Sequence, residues 1–490
     1  MISTLRIEEP QALKKVPLEE AKFALPFSYE VGESRRGGSR GLVVRYKPRN
    51  EDPEASEAYI SWAVKAREAA AAASAAAKGA AAASPGASNG PQSAAAAASG
   101  ASTDAAVATK PTVAAKISPQ QRAPSDSYLE LVFPFSSSKT LREQYQRFTS
   151  NNMRFGLLLE DLDTLAGDIA ARHAGMEGKV LLTASIDRIS WLKDPSMGEV
   201  SLAHDLRMAG QVVWAGRSSM EVLIEVSYQL PGAAQWNYMG RAFFVLVART
   251  PDRKRAAEIP ALTVQTARER ELFMQGQLHM RQRQQRRDSH WARKAPTVEE
   301  IAIIHDLIRT HHFSQPATAS SSNGQSLAAP ANIVPMRRTV LENSCLMHTQ
   351  DRNVWDVIFG GHLLRLAYEH AFATAALHAG VYCQSLSMDD VAYLLPVPIG
   401  ALLRLTGQVV FVDGPVIRVH VRASKVEPGA PEQGVTTNMF SFAFMCPSGP
   451  VRRVVPDTMV EAMEYVMAHR QHAADGASQQ FLEALAMSKL

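Results

Sequence analysis

Cysteine is nearly missing from this chain: Cys345, Cys383 and Cys446 are the only three in 490 residues. They all lie in the second half, at spacings that build neither a zinc knuckle nor a disulfide framework, so a reducing compartment is expected. No apolar run approaches the roughly 20 residues that cross a bilayer as a helix, and no membrane span is expected. A large excess of one charge is also missing. A net charge of +4 points to neither nucleic acid nor a membrane surface as a partner. The fourteen histidines form no HExxH or HxH set, and His311 and His312 read as surface residues, so no metal is expected. No GxSxG elbow surrounds a serine, and Ser344 or Cys345 beside His348 is a sequence neighbourhood rather than a triad. The opening MISTLRIEEP has neither a secretory apolar region nor an acid-poor amphipathic presequence.

Along the chain, residues 1–68 form an extension in which GLVVRY alone reads as a strand, and 69–125 an Ala-rich stretch broken by Pro85, Gly86, Gly90 and Pro91. With no apolar stripe to pack, the latter is expected to be a flexible low-complexity insert. Patterned sequence occupies 126–250, from the alternating SYLELVFPF to RAFFVLVART. A polar, helix-prone connector is expected over 251–337, where Pro296 and Thr297 precede two glutamates as at a helix start. A second patterned domain with a helical tail is expected over 338–490.

The two patterned stretches repeat each other. FGLLLEDLDTLAGDIAARHAG at Phe155 to Gly175 parallels FGGHLLRLAYEHAFATAALHAG at Phe359 to Gly380. SIDRI at Ser185 parallels SMDDV at Ser387, and GQVVW at Gly210 parallels GQVVF at Gly407, in the same order. One long helix followed by an antiparallel meander predicts an α+β hotdog in each copy, the sheet wrapped around a central helix. Two copies in one chain predict two fused hotdog domains.

DSYLELVFPF, MRFGLLLEDLDTLAG, GQVVWAGRSSMEV and ENSCLMHTQDRNVWDVIFGGHLLRLAYEHA together resemble the double-hotdog acyl-CoA thioesterases, most nearly the mitochondrial, acyl-coenzyme A thioesterase 9-like branch. The likeness runs from about Ser127 to Gln471 and includes ELFMQGQL in the connector. It implies a hydrolase that cleaves fatty acyl-CoA to free fatty acid and CoA, with no cofactor, since CoA is part of the substrate. It also implies a mitochondrial location, with cytoplasm the alternative, and a homo-oligomer in the form of a trimer of double hotdogs.

Thioester hydrolysis needs a base beside a water and donors for the oxyanion, and no covalent nucleophile. On a helix starting near Gly156, Leu158, Leu162, Leu165 and Ile169 share the face toward the domain's own sheet. Asp163 projects instead among Leu159, Ala166, Gly167 and Ala170, a small-residue strip that another backbone can approach. The bland reading is that Glu160, Asp161 and Asp163 are a solvated acidic turn near a helix start.

Comparing the copies decides between these readings. Seven residues after the last glycine, copy two has Tyr368 where copy one has Asp163. Eight residues before that glycine, copy two has Asn353 where copy one has Phe148. Reciprocal loss is what a duplicated two-subunit site leaves when one of its two equivalent interfaces stays active. The resemblance agrees, placing an Asn before one domain's glycine pair opposite an Asp on the other domain's helix. Asp163 is thus the expected base, Asn353 the amide that orients water or thioester, and Gly360 and Gly361 the helix-end oxyanion donors. The alternative for Asn353 is an Asx turn. Glu369 is held as a reserve acid, and Arg154, Arg217, Ser218 and Ser219 as candidates for binding the CoA portion.

Three rivals are weighed. A non-catalytic acyl-CoA-binding regulator would need neither Asp163 nor Asn353. A hotdog hydratase would need a His partner for Asp163, and none accompanies it. RQRQQRRDSHWARK as a nucleic-acid arm lacks interleaved aromatics apart from Trp291.

Overall fold

The computed structural model describes residues 28–36, 39–47, 121–148, 151–191, 201–288, 296–314, 333–353 and 356–488. The Ala-rich stretch expected to be flexible lies outside them, apart from its last few residues. A hairpin of β1 (Ser28–Arg36) and β2 (Ser39–Lys47) comes first, and GLVVRY falls on its second strand. Copy one comprises β3 (Leu129–Phe133), α1 (Phe155–Ala174), β4 (Val180–Trp191), β5 (Asp205–Ala215), β6 (Ser219–Gln229) and β7 (Asn237–Arg249). Helices α2 (Ala267–Asp288) and α3 (Val298–Ser314) follow. Copy two comprises β8 (Leu341–Leu346), α4 (Gly360–Ala379), β9 (Gln384–Tyr393), β10 (Leu402–Asp413), β11 (Val416–Glu427) and β12 (Ala430–Met445), and α5 (Met459–Ser488) closes the chain.

Among the described residues these twelve strands form one sheet in the order β1-β2-β3-β5-β6-β7-β4-β9-β12-β11-β10-β8, beside two short two-stranded pairings. Pairing within the sheet is antiparallel throughout except between β2 and β3. Each copy is a five-stranded hotdog sheet packed around its own long helix, and the two join where β4 pairs with β9. In that seam Ser387 faces Ser190 and Ala392 faces Ser185, so equivalent residues of the two copies exchange partners about a pseudo-two-fold axis. The α1 stripe of Leu158, Leu162, Leu165 and Ile169 is buried in the core as its spacing predicts. Each such side chain contributes about 1.5–3 kcal/mol by leaving water. At Gly210 a Cβ would lie 2.9 Å from Ile169 Cδ1, and at Gly407 it would lie 2.6 Å from Thr374 Oγ1. The shared GQVV motif therefore marks where each central helix crosses its sheet.

The internal repeat extends past the residues that announce it. Ser127 Oγ accepts the Val212 amide at 3.0 Å, and Thr339 Oγ1 accepts the equivalent Val409 amide at 3.0 Å. His173 and His378, equivalent on α1 and α4, each place Nε2 on a backbone carbonyl, at 3.0 and 2.8 Å. Helix α2, in the stretch expected as a helical connector, packs on copy one and shares its cap with the C-terminal α5. Both begin with the same cap: Glu269 accepts the Gln265 and Thr266 amides while Thr266 Oγ1 accepts the Glu269 amide, and Glu461, Asp457 and Thr458 repeat the pattern. Gly276 of α2 packs against Trp214 on β5, and Tyr465 of α5 stacks edge-on with Phe411 on β10, 5.2 Å between centroids.

The basic stretch expected as a possible nucleic-acid arm begins on α2, and its Arg283 turns inward. The guanidinium bonds Asp187 on β4 and lies 2.8 Å from Glu221 Oε2 on β6, while His279 Nδ1 lies 2.9 Å from Glu221 Oε1. Asp187, Glu221 and His279 thus converge, with the guanidinium spanning both carboxylates. Glu221 is fully buried. Arg283→Ala leaves that carboxylate without its main counter-charge and is expected to lower unfolding free energy by on the order of 3 kcal/mol, read from urea midpoints.

Candidate active site

Asp163 does not lie in a solvated acidic turn. It is 2% exposed and faces the first turn of α4 in the other copy. Thr183 Oγ1 on β4 donates to Asp163 Oδ1 at 2.9 Å, and the backbone N–H of Gly361 also reaches the carboxylate. Gly360 lies so close that a Cβ built on it would be 3.1 Å from Asp163 Oδ2 and 3.4 Å from the Tyr393 ring. The small-residue strip around Asp163 lets the backbone of α4 come this near. Tyr393, at the end of β9, donates its hydroxyl to the Gly360 carbonyl at 3.1 Å. The cluster is therefore composite, with the Asp163 carboxylate and Thr183 from copy one and the helix start and Tyr393 from copy two. Helix α4 begins with no side-chain cap at Phe359, so its first-turn N–H groups have no partner from a capping side chain.

Burial pushes the Asp163 carboxyl up to about 6, against the opposing pull of the Thr183 and Gly361 hydrogen bonds, and the charge of Glu160 pushes it further the same way. Its neighbour Asp161 is pushed up to about 8 by burial, although Tyr145 donates to Asp161 Oδ2 at 2.6 Å. Burial thus raises both carboxyls, Asp161 further than Asp163, which sets the two neighbours apart. Glu160 Oε2 pairs with Arg365 Nε at 3.1 Å across the axis. These two residues occupy equivalent positions in the copies.

Asn353 lies in the loop before α4. Its Oδ1 accepts the Val357 amide at 3.4 Å, and its own amide donates to the Val357 carbonyl at 2.7 Å. These contacts run four residues on, a wider turn than an Asx turn, and they hold Asn353 on the segment that feeds Gly360 and Gly361. Arg154 is placed elsewhere. Its Nε and Nη2 bond Glu369 at 2.7 and 3.0 Å at the other, pseudo-equivalent meeting of the two helices, which also takes Glu369 away from Asp163. Arg217, Ser218 and Ser219 form the β5–β6 turn, where the Ser218 carbonyl accepts the Ala248 amide at 2.7 Å and the Arg217 carbonyl accepts the Ile259 amide at 3.0 Å. Thr183 and Tyr393 were not identified from sequence. Tyr393 carried one signal, as the repeat partner of Trp191, six residues beyond each SIDRI or SMDDV start.

Comparison with known proteins supplies the family. The chain is 35% identical over 354 residues to the mitochondrial acyl-coenzyme A thioesterase 9 of Bos taurus, covering 71% of this chain and 78% of that protein. The human protein of the same name is also 35% identical, covering 71% and 77%. A chloroplastic acyl-coenzyme A thioesterase 2 of Humulus lupulus is 33% identical over 362 residues, covering 70% and 79%. No family model matches. Among solved structures, an acyl-CoA hydrolase from Staphylococcus aureus in complex with butyryl-CoA and CoA aligns at 25% identity and TM-score 0.29, covering 31% of this chain and 99% of that one. A putative oleoyl thioesterase from Lactobacillus plantarum aligns at 8% identity and TM-score 0.37, covering 62% and 92%. The chain belongs to the acyl-coenzyme A thioesterase 9 family, and its enzyme class is thioester hydrolase acting on acyl-CoA.

Proposed function

We propose that one composite site hydrolyses acyl-CoA, with Asp163 taking a proton from the water that attacks the thioester carbon. The observation that supports this is the buried Asp163 carboxylate lying against the uncapped first turn of α4. A carboxylate tuned to about 6 is ionised at neutral pH and still basic enough to accept a proton. The Gly361 N–H holds the base in position. The Gly360 amide and the positive end of α4 stabilise the oxyanion that develops as water adds. Collapse of that intermediate expels the CoA thiolate, which takes up the proton. In this reading the Asn353 amide orients the water or the thioester oxygen, Thr183 and Tyr393 keep carboxylate and helix start in register, and Arg217, Ser218 and Ser219 serve the CoA portion. No resident cofactor enters the scheme. A mitochondrial location follows the names of the mammalian relatives, and assembly as a trimer of double hotdogs belongs to the same reading.

Thiol release from short-, medium- and long-chain acyl-CoAs tests it. Wild-type protein should turn over at least one chain-length class, and Asn353→Ala should lower kcat by about tenfold, below the ~10²–10³ of a lost oxyanion donor because its task is orientation. Binding of CoA without turnover of any chain length would favour a regulator over an enzyme.

A further inference from the structure

The pseudo-two-fold axis creates a second meeting of the helices, and its contents differ from the first position by position. Tyr368 stands where Asp163 does, Phe155 where Gly360 does, Phe148 where Asn353 does, and Trp191 where Tyr393 does. Four of the positions assigned to the first interface thus carry aromatic rings at the second, while Gly361 has Gly156 and Thr183 has Ser385 as its counterpart. These rings line the second interface without filling it. A cavity of about 480 Å³ remains, walled by Phe148, Phe155, Tyr368, Phe372, Ala373 and Tyr382. This is within the range of sites that hold small ligands.

We propose that this cavity is a binding site for a linear acyl chain bearing an anionic head group, held without hydrolysis. Most of the wall is aromatic, with Gln146, Arg147, Arg154 and Glu369 as its polar part: Phe155 and Tyr368 lie 5.4 Å apart, Phe372 and Tyr382 stack at 5.9 Å, and Phe148 and Tyr382 meet at 5.1 Å. Phe148 is 63% exposed and has φ +53°, so a bulky ring is kept at the rim in a left-handed conformation rather than buried. The cation for the head group is Arg147, whose guanidinium lies 5.2 Å from the Phe372 ring centre and 5.6 Å from that of Phe148. A purine would need hydrogen-bonding partners along its edge, whereas Arg154 and Glu369, the oppositely charged pair on the wall, are bonded to each other. An alkyl chain needs only the apolar walls. The same chemistry arrives on a free fatty acid or on the acyl portion of acyl-CoA, and both exist wherever this enzyme works.

Octanoate, decanoate and dodecanoate are titrated into the full chain by calorimetry, with Trp191 emission as a second readout because its ring lies 4.9 Å from Phe155. The expected result is a saturable component that tightens about fourfold per added methylene. Ala373→Phe fills the cavity from its wall and should weaken that component at least tenfold. Arg147→Ala should weaken every chain length by a similar factor and leave the chain-length slope intact. Unchanged decanoate affinity in both variants, with wild-type melting curves, would overturn the proposal, as would affinity independent of chain length. The thioether S-decyl-CoA separates the sources. Two equivalents bound by wild type and one by Ala373→Phe identify acyl-CoA as an occupant, whereas one equivalent in both identifies the free acid. Binding rather than turnover is read, so failure of the Asp163 mechanism would appear in thiol release alone.

Discussion

Asp163→Asn is expected to lower kcat by about 10²–10⁴, the range for loss of a positioned general base, with little change in KM. In the wild type, kcat/KM should rise with pH up to about 6 and level off above it, because only the ionised carboxylate accepts a proton from water. The same shift has the opposite sign for stability. The folded state holds the Asp163 proton more tightly than the unfolded chain, so the stabilisation from this group is full below the ordinary carboxylate value of 3.8 and is lost as pH rises through about 6. At pH 8 the ionised group costs on the order of 3 kcal/mol, which the neutral isostere avoids. Asp163→Asn should therefore be inactive and melt higher than wild type at pH 8, with the gap closing at pH 4. A variant that loses activity by unfolding would melt lower instead, so chemistry and structural damage are distinguished in one pair of measurements. Retention of wild-type kcat would remove Asp163 from the mechanism.

The pairing of the copies shows why a duplicated site need not stay symmetric. Glu160 and Arg365 are equivalent residues that meet across the axis. Two copies of the first domain would bring two glutamates together there, and two copies of the second would bring two arginines. Opposite charges favour the pairing of unlike domains, and once the pairing is fixed the two interfaces can diverge. One keeps the carboxylate against the glycine pair, and the other becomes an aromatic pocket.

Much of this was legible before any coordinates, because comparing the repeats tests a residue against its own counterpart. Asp163 against Tyr368 and the small residues around Asp163 pointed to a close approach of the other copy's backbone, which the Gly360 contact bears out, whereas Asn353 against Phe148 marked a loop residue that the structure holds on its own turn. What escaped depended on relations that spacing does not carry. Helix α2 was read as a connector because it shares little with α5 beyond a Thr-x-x-Glu cap, a signal shorter than the helix. Arg283 read as part of a solvated basic run, since only the fold brings buried Glu221 and Asp187 to it. Arg154 was assigned to the CoA rim because it precedes the Gly156 helix, but the axis carries that helix start to Glu369 rather than to Asp163. Thr183 was hidden because its role is set by the pitch of β4 past α1.

The first turn of α4 supplies the other large effect. Gly360→Ala should preserve folding, since alanine favours a helix over glycine by about 1 kcal/mol and an intruding methyl group takes back part of that gain. The new Cβ, however, falls 3.1 Å from Asp163 Oδ2 and 3.4 Å from the Tyr393 ring. The ring is held by its hydroxyl bond to the Gly360 carbonyl, so the carboxylate is the group that must move. Displacing the base by a fraction of an ångström or more from the attacking water is expected to lower kcat by about 10². Gly361→Ala differs in kind, because its Cβ would lie 2.5 Å from the Phe359 ring and 3.1 Å from the Glu160 carbonyl, a backbone atom of α1 that cannot swing aside. The two helices must then separate, and both activity and melting temperature should fall. Parallel kcat and thermal-melt measurements check the contrast. Wild-type kcat in Gly360→Ala would mean that the carboxylate tolerates the methyl group, and that the close approach of α4 to Asp163 is packing rather than catalytic placement.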